Sequence, residues 1–256
     1  VKSDLLFNFD EKVKELNQYF KLLRFLEDKS HIEGFKLDVT QSATLKANCY
    51  LLLYNLIEGS IFEGIDSIFK AINQQNISFD RLNNDYKQKW LSYTSSIINR
   101  DNKKIPKTFG KELSDILDNM AVFSILNFKD NDGNLFDNYA SYLKTQNKTD
   151  FSGTLDIRLI RKLAPLYGFS APVEHYDEEK NKRLKEKDKI SEEAEAFLKV
   201  KNLRNKLAHG EISFSKAVQE PIDEIRKTKI YIVCYLRRLL KNIDSFIEQQ
   251  GYLKQT

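Results

Sequence analysis

From Asp38 to about Asn73 the chain runs without a proline, and its middle, Tyr50-Leu51-Leu52-Leu53-Tyr54-Asn55-Leu56-Ile57, is apolar nearly all round. A helix that is apolar on every side must be surrounded by other elements. The stretch therefore predicts one long central helix with the rest of the chain packed around it, capped at its start by Asp38 or Thr40. Only 9 Gly and 4 Pro punctuate the 256 residues, which fits long helices and few tight turns. Gly59 and Gly64 fall inside the central helix. Each costs about 1 kcal/mol against alanine there, and close approach of another helix is one reason to keep them. Glu58 ends the apolar run, either at the edge of the bundle or buried beside a cation. Arg204 is the cation expected to pair with it.

Other stripes at three- and four-residue spacing extend this reading. Residues 9–28 form a first helix, with Val13, Leu16, Phe20, Leu23 and Glu27 along one side. Residues 79–98 form a third, with Trp90 in the core. A basic loop follows at 100–107, and 113–127 reads either as helix or as helix followed by strand. Asn131-Asp132-Gly133-Asn134 is a turn, and the polar chain beyond it to Asp150 lies outside the bundle core. Residues 154–167 form a short basic helix, 176–189 a charged linker or helix start, and a helix begins near Ser191. A last helix runs from Phe214 to about Gln250 with Ile225, Ile232, Leu236, Leu239, Ile243 and Phe246 on its stripe. The expectation is an all-α bundle of long antiparallel helices, one domain over residues 1–256, with about 99–190 elaborating it.

The chemistry concentrates at residues 196–214, AFLKVKNLRNKLAHGEISF. Wound as a helix, Ala196, Phe197, Val200, Leu203 and Leu207 make one apolar stripe, and Arg204 falls within it, about 40° from Val200. A guanidinium on an apolar face cannot shed its charge, so it needs an anionic partner or a task. Asn205 and His209 lie side by side at i and i+4, and Gly210 is placed to turn the chain left-handed and end the helix. On spacing alone the arginine reads as a structural ion pair and the histidine as a helix-end decoration on the macrodipole.

The segment Arg204-Asn205-Lys206-Leu207-Ala208-His209 resembles the Arg-Asn-x-x-x-His form of the motif in HEPN domains, the helical nucleases of bacterial defence and toxin–antitoxin systems. Leu53-Tyr54-Asn55-Leu56-Ile57-Glu58-Gly59 and Ser152-Gly153-Thr154-Leu155-Asp156 are similar to two further segments of a bacterial, toxin-type subgroup. Many members carry Tyr two residues after the histidine, where this chain has Glu211. The resemblance implies a HEPN fold, a homodimer and metal-independent cleavage of RNA.

The residues allow the same chemistry. The chain has three histidines, His31, His175 and His209, and no pair has metal-ligand spacing. No phosphate-binding loop, dinucleotide fingerprint or nucleophile elbow is present, so neither metal nor cofactor is expected. That leaves His209 as the acid/base, since an imidazole titrates near neutral pH. RNA brings its own nucleophile, the ribose 2′-hydroxyl. Its cleavage needs a base, an acid and positive charge at the phosphorus. One histidine cannot be base and acid in the same step, whereas a two-fold dimer joining two Arg204–His209 pairs supplies both. Asn205 would hold the imidazole or a phosphate oxygen, and Glu58 would support Arg204.

Arg158, Arg161 and Lys162, together with Lys206, are the expected RNA contacts; the competing reading of the short basic helix is an ordinary solvated face. A net charge of +4 and a pI near 8.8 are compatible with RNA without demanding it. The alternative function is an inactive adaptor or partner-binding module in which Arg204 and His209 shape an interface. A cognate antitoxin or defence-system protein is the further partner the resemblance implies. The first twenty residues mix Lys, Glu and Asp with apolar residues, unlike a signal peptide, and no apolar run reaches a membrane span. Cys49 and Cys234 both sit in apolar helical contexts and read as reduced core residues of a cytoplasmic protein.

Overall fold

The computed structural model describes residues 3–29, 37–75, 77, 81–87, 129–130, 133–134, 155–174 and 191–254. Within them lie α1 (Asp4–Lys29), α2 (Val39–Gln74), β1 (Lys129–Asp130), β2 (Gly133–Asn134), α3 (Ile157–Leu166), α4 (Glu192–Ala208), α5 (Phe214–Ala217) and α6 (Ile222–Glu248). The architecture is the all-α bundle expected. Among the described residues strand pairing is confined to the two-residue pair β1–β2, Lys129 opposite Asn134 and Asp130 opposite Gly133, and a single antiparallel bridge of Leu82 with Leu253. Asn131 and Asp132 of the expected turn, Trp90, the basic loop at 100–107, the ambiguous 113–127 and the charged 176–189 lie outside the described residues.

α2 is the hub, packed against α1, α4, α5 and α6. Of the two caps considered, Asp38 does the work. Its Oδ1 accepts the Gln41 N–H at 2.8 Å, while Gln41 Oε1 accepts the Asp38 N–H at 3.1 Å. This reciprocal capping box satisfies backbone donors that the first turn would otherwise leave open. Tyr50, Leu53, Tyr54 and Ile57 of the central run are all fully enclosed.

α1 buries Leu5, Phe9, Val13, Leu16, Phe20 and Leu23 against this core. It begins earlier than residue 9 because Leu5 already lies on the stripe and Ser3 Oγ accepts the Leu6 N–H at 3.2 Å. It runs antiparallel to α2: Lys12 pairs with Glu63, Tyr19 Oη donates to the Leu45 carbonyl, and Glu27 takes Lys46 at 2.7 Å. It is also antiparallel to α6, through Asp10–Arg237 and Asn17–Lys229. α2 and α6, both opposed to α1, therefore run the same way.

The last helix differs from expectation. Phe214–Ala217 is a single turn, Val218 is extended, and α6 restarts after Pro221. A proline disfavours helical backbone in the residue before it, so the run from Phe214 cannot pass Glu220 unbroken. Glu220 anchors the break by accepting the Tyr50 hydroxyl and pairing with Lys199. Cys49 is buried as expected, but Cys234 is exposed, because it sits on α6 about 200° around the axis from Ile232 of the buried stripe.

Gly64 marks the close approach of α6 to α2. A Cβ there would stand 2.6 Å from Ile243 Cδ1 and 3.3 Å from Leu240 Cδ2. Gly64→Ala is expected to cost about 1–3 kcal/mol through overpacking. At Gly59 a Cβ would meet only Lys12 Nζ, at 3.6 Å. Gly59→Ala should instead gain about 0.5–1 kcal/mol from helix propensity. Urea midpoints moving in opposite directions for these two variants would bear this out; equal shifts would refute it.

Candidate active site

α4 begins at Ser191, whose Oγ accepts the Ala194 N–H at 3.0 Å, with Glu192, Glu193 and Glu195 in its first turn. Those carboxylates face the positive end of the helix dipole. Glu193 is fully buried: its Oε1 takes the Arg238 guanidinium at 2.7 Å and its Oε2 the Glu174 N–H at 2.9 Å. Ala196, Phe197, Val200 and Leu207 are buried as their spacing predicts, while Leu203 is half-buried.

The other end of α4 is a Schellman closure. The Gly210 N–H reaches the Leu207 carbonyl at 3.2 Å and the Glu211 N–H the Lys206 carbonyl at 2.9 Å, with Gly210 at φ +70°. His209 is the cap residue itself, its N–H on the Asn205 carbonyl at 2.9 Å. These bonds belong to the backbone, so the histidine's position does not depend on its side chain. The imidazole is exposed and, among the described residues, takes no hydrogen bond. A Cβ at Gly210 would touch nothing within 4 Å, so Gly210→Ala should cost only the left-handed backbone penalty, about 1–2 kcal/mol.

Arg204 is half-buried and points inward. Its guanidinium lies 5.0 Å over the Tyr54 ring, and its Nη1 donates to Asn205 Oδ1 at 3.2 Å. Asn205 is thus engaged with the arginine. Tyr54 is fully buried, and its hydroxyl accepts the Leu155 N–H at 3.3 Å and bonds to Glu58. Burial, with the Glu58 carboxylate next, holds the phenol well above its usual range. Glu58 and Arg204 therefore meet on one tyrosine; among the described residues the link expected as a direct ion pair runs through that ring. The structure brings together Tyr54 of the first resembling segment, Leu155 of the second and Arg204 of the motif.

The expected RNA contacts divide. Lys206 is exposed near His209, while Arg158, Arg161 and Lys162 are exposed on α3. Asp156 caps α3 by accepting the Leu159 N–H at 3.0 Å, and its other oxygen pairs with Lys201 of α4 at 2.6 Å. Arg161 influences Tyr235, whose ring packs on Phe197 at 5.1 Å. Arg161 thus lies near the Phe197 turn of α4, about 18 Å along the helix from His209 at 1.5 Å per residue, while the start of α3 meets α4 at Lys201, about 12 Å from His209. Sequence reasoning missed Tyr54 as the arginine's platform and Asp156–Lys201 as the tie between segments. A tyrosine in an otherwise apolar run was the available signal, since a buried phenol needs a partner.

Asp156 also carries a pH dependence. Burial raises its carboxyl, but Lys201 and then the Leu159 N–H outweigh that and leave it below the ordinary value. A folded pKa below the unfolded value of about 3.9 stabilises fully above that value, and the contribution fades as pH falls through the folded pKa. The stability gap between wild type and Asp156→Asn should be open at pH 6 and close towards pH 2–3. A gap unchanged over that range would refute the pairing.

The family model of MAE_28990-like HEPN domains matches residues 1–252. The chain belongs to this HEPN family. Comparison with curated proteins and with solved structures gives no match. For this HEPN domain, the match reaches from α1 to the end of α6 and includes the motif helix α4. Among the described residues no helix is long and apolar enough to cross a membrane, and no cluster of His, Cys, Asp and Glu is arranged to hold a metal ion.

Proposed function

We propose that this HEPN domain is a metal-independent endoribonuclease of toxin–antitoxin or phage-defence type, acting as a homodimer with a composite site. The observation that carries the reading is an exposed histidine whose backbone is fixed at a helix end, five residues from an arginine held by its own platform. In the reaction, one His209 takes the proton of a ribose 2′-hydroxyl as that oxygen attacks phosphorus. The bond to the 5′ oxygen breaks, giving a 2′,3′-cyclic phosphate, and a protonated His209 delivers a proton to the leaving oxygen. Arg204 and Lys206 supply positive charge to the phosphorane-like transition state.

Helix geometry supports the composite site. Arg204 and His209 are about 140° apart around the α4 axis and about 7.5 Å apart along it. One chain therefore presents base and arginine in different directions, and a second copy completes the set. The competing adaptor reading draws on Arg204 being half-buried with its hydrogen bond spent on Asn205. The test is cleavage of labelled single-stranded RNA by purified protein in EDTA, with the same sequence as DNA alongside. Cleavage of RNA alone, giving cyclic phosphate ends, is expected. No cleavage by dimeric wild type would favour the adaptor. Active protein that stays monomeric in light scattering at every concentration would remove the composite site.

A further inference from the structure

We infer that Tyr54 is the residue that positions Arg204 for RNA, so that the ring of α2, and not a carboxylate, sets where the guanidinium stands. This rests on the ribonuclease reading above. Arg204 lies 5.0 Å over the Tyr54 ring and, among the described residues, makes its hydrogen bond sideways, to Asn205 of its own helix. A guanidinium seated over a ring face is restrained from moving towards the ring, a direction Asn205 does not control. The ring in turn is held on several sides. It is fully buried in the core, and its hydroxyl is tied to the Leu155 N–H at 3.3 Å and to Glu58. Leu155 is itself buried and adjoins Asp156, which is bound to Lys201 one helical turn before Arg204. The platform is thus clamped from α2 and from the start of α3, and α4 is clamped to the same place. A ring contact leaves the guanidinium N–H donors that are not bonded to Asn205 available for phosphate oxygens, whereas a bidentate carboxylate would occupy two of them.

The test compares Tyr54→Phe with two ringless variants, Tyr54→Leu and Tyr54→Met, the flexible methionine being the safer filler of the space. Two readouts are taken on full-length protein. The first is the Arg204 Nε–Hε resonance in a nitrogen–proton spectrum, assigned by its loss in Arg204→Lys; ring-current shielding should place it upfield. The second is kcat and KM on single-stranded RNA. Tyr54→Phe keeps the ring and should keep the shielded resonance, with kcat within about threefold of wild type. The ringless variants should lose the shielding, and kcat should fall roughly 10- to 100-fold with KM changed less than about threefold. A folded ringless variant with wild-type kcat overturns the inference. So does shielding that persists without the ring, or a Tyr54→Phe variant as impaired as Tyr54→Met. Inert wild-type protein overturns the ribonuclease reading instead, and the resonance still decides whether Tyr54 holds Arg204.

Discussion

His209→Ala is expected to lower RNA cleavage by roughly 10²–10⁴-fold while thermal unfolding stays within about 0.5 kcal/mol of wild type. The two halves of this result have separate causes. The rate falls because the imidazole is the proposed proton carrier at both oxygens. Stability holds because the side chain is exposed and the helix end is closed by the backbone bonds of His209, Gly210 and Glu211. Arg204 should behave differently. Arg204→Ala removes both the charge and the contact with Tyr54, so activity and stability fall together. Arg204→Lys restores the charge without the planar fork, and should recover stability better than rate. Mixed dimers sharpen the assignment. If each cleft draws one His209 from each chain, heterodimers of wild type and His209→Ala should have far less than half the wild-type activity. Activity at one half, or full cleavage by the alanine variant once contaminating nuclease is excluded, would reject the composite mechanism.

Glu193→Ala should be the most damaging substitution for stability, at about 3–5 kcal/mol, or a fall of about 6–20 °C in Tm for a domain of this size. The carboxylate has no exposure, and both its oxygens are used, on Arg238 and on the Glu174 N–H. Its removal leaves the Arg238 guanidinium against the α4–α6 interface without its buried partner. Glu174, 3.1 Å from Arg238 and half-exposed, compensates in part, which places the loss towards the lower end of the range. In the Arg238→Met, Glu193→Leu double variant, neither charge remains to be desolvated, so it should be more stable than Glu193→Ala alone. Chemical unfolding of wild type, Glu193→Leu, Arg238→Met and the double variant measures the coupling; additive losses would show that the pair is not one unit. Since Glu193 lies at the opposite end of α4 from His209, residual activity per folded molecule should survive.

The elements whose signals are local were legible. α2 could be read from its apolar run and from Asp38, because a capping box is completed within four residues. α4 could be bounded by Ser191 and Gly210, since a cap and a left-handed turn act on their immediate neighbours. The stripe beyond Pro221 is strong enough to read as one continuous helix from Phe214, which obscures the break that the proline imposes. Cys234 reads as a core residue from the apolar residues beside it in sequence, yet neighbours in sequence point to different sides of a helix, and it is exposed.

The sequence by itself determined an all-α chain with a central helix, the pairing of Arg204, Asn205 and His209 on one helix end, and the point where that helix stops. Periodicity and capping establish these because both are properties of a few consecutive residues. Only the tertiary structure decided what Arg204 rests on. Tyr54, Leu155 and Arg204 come from three separate segments, and the tyrosine meets the Leu155 N–H across 101 residues of chain. A stripe specifies which way a side chain leaves its own helix. The atom it meets is set by how helices α2, α3 and α4 pack, which depends on the shapes of all the buried side chains at once.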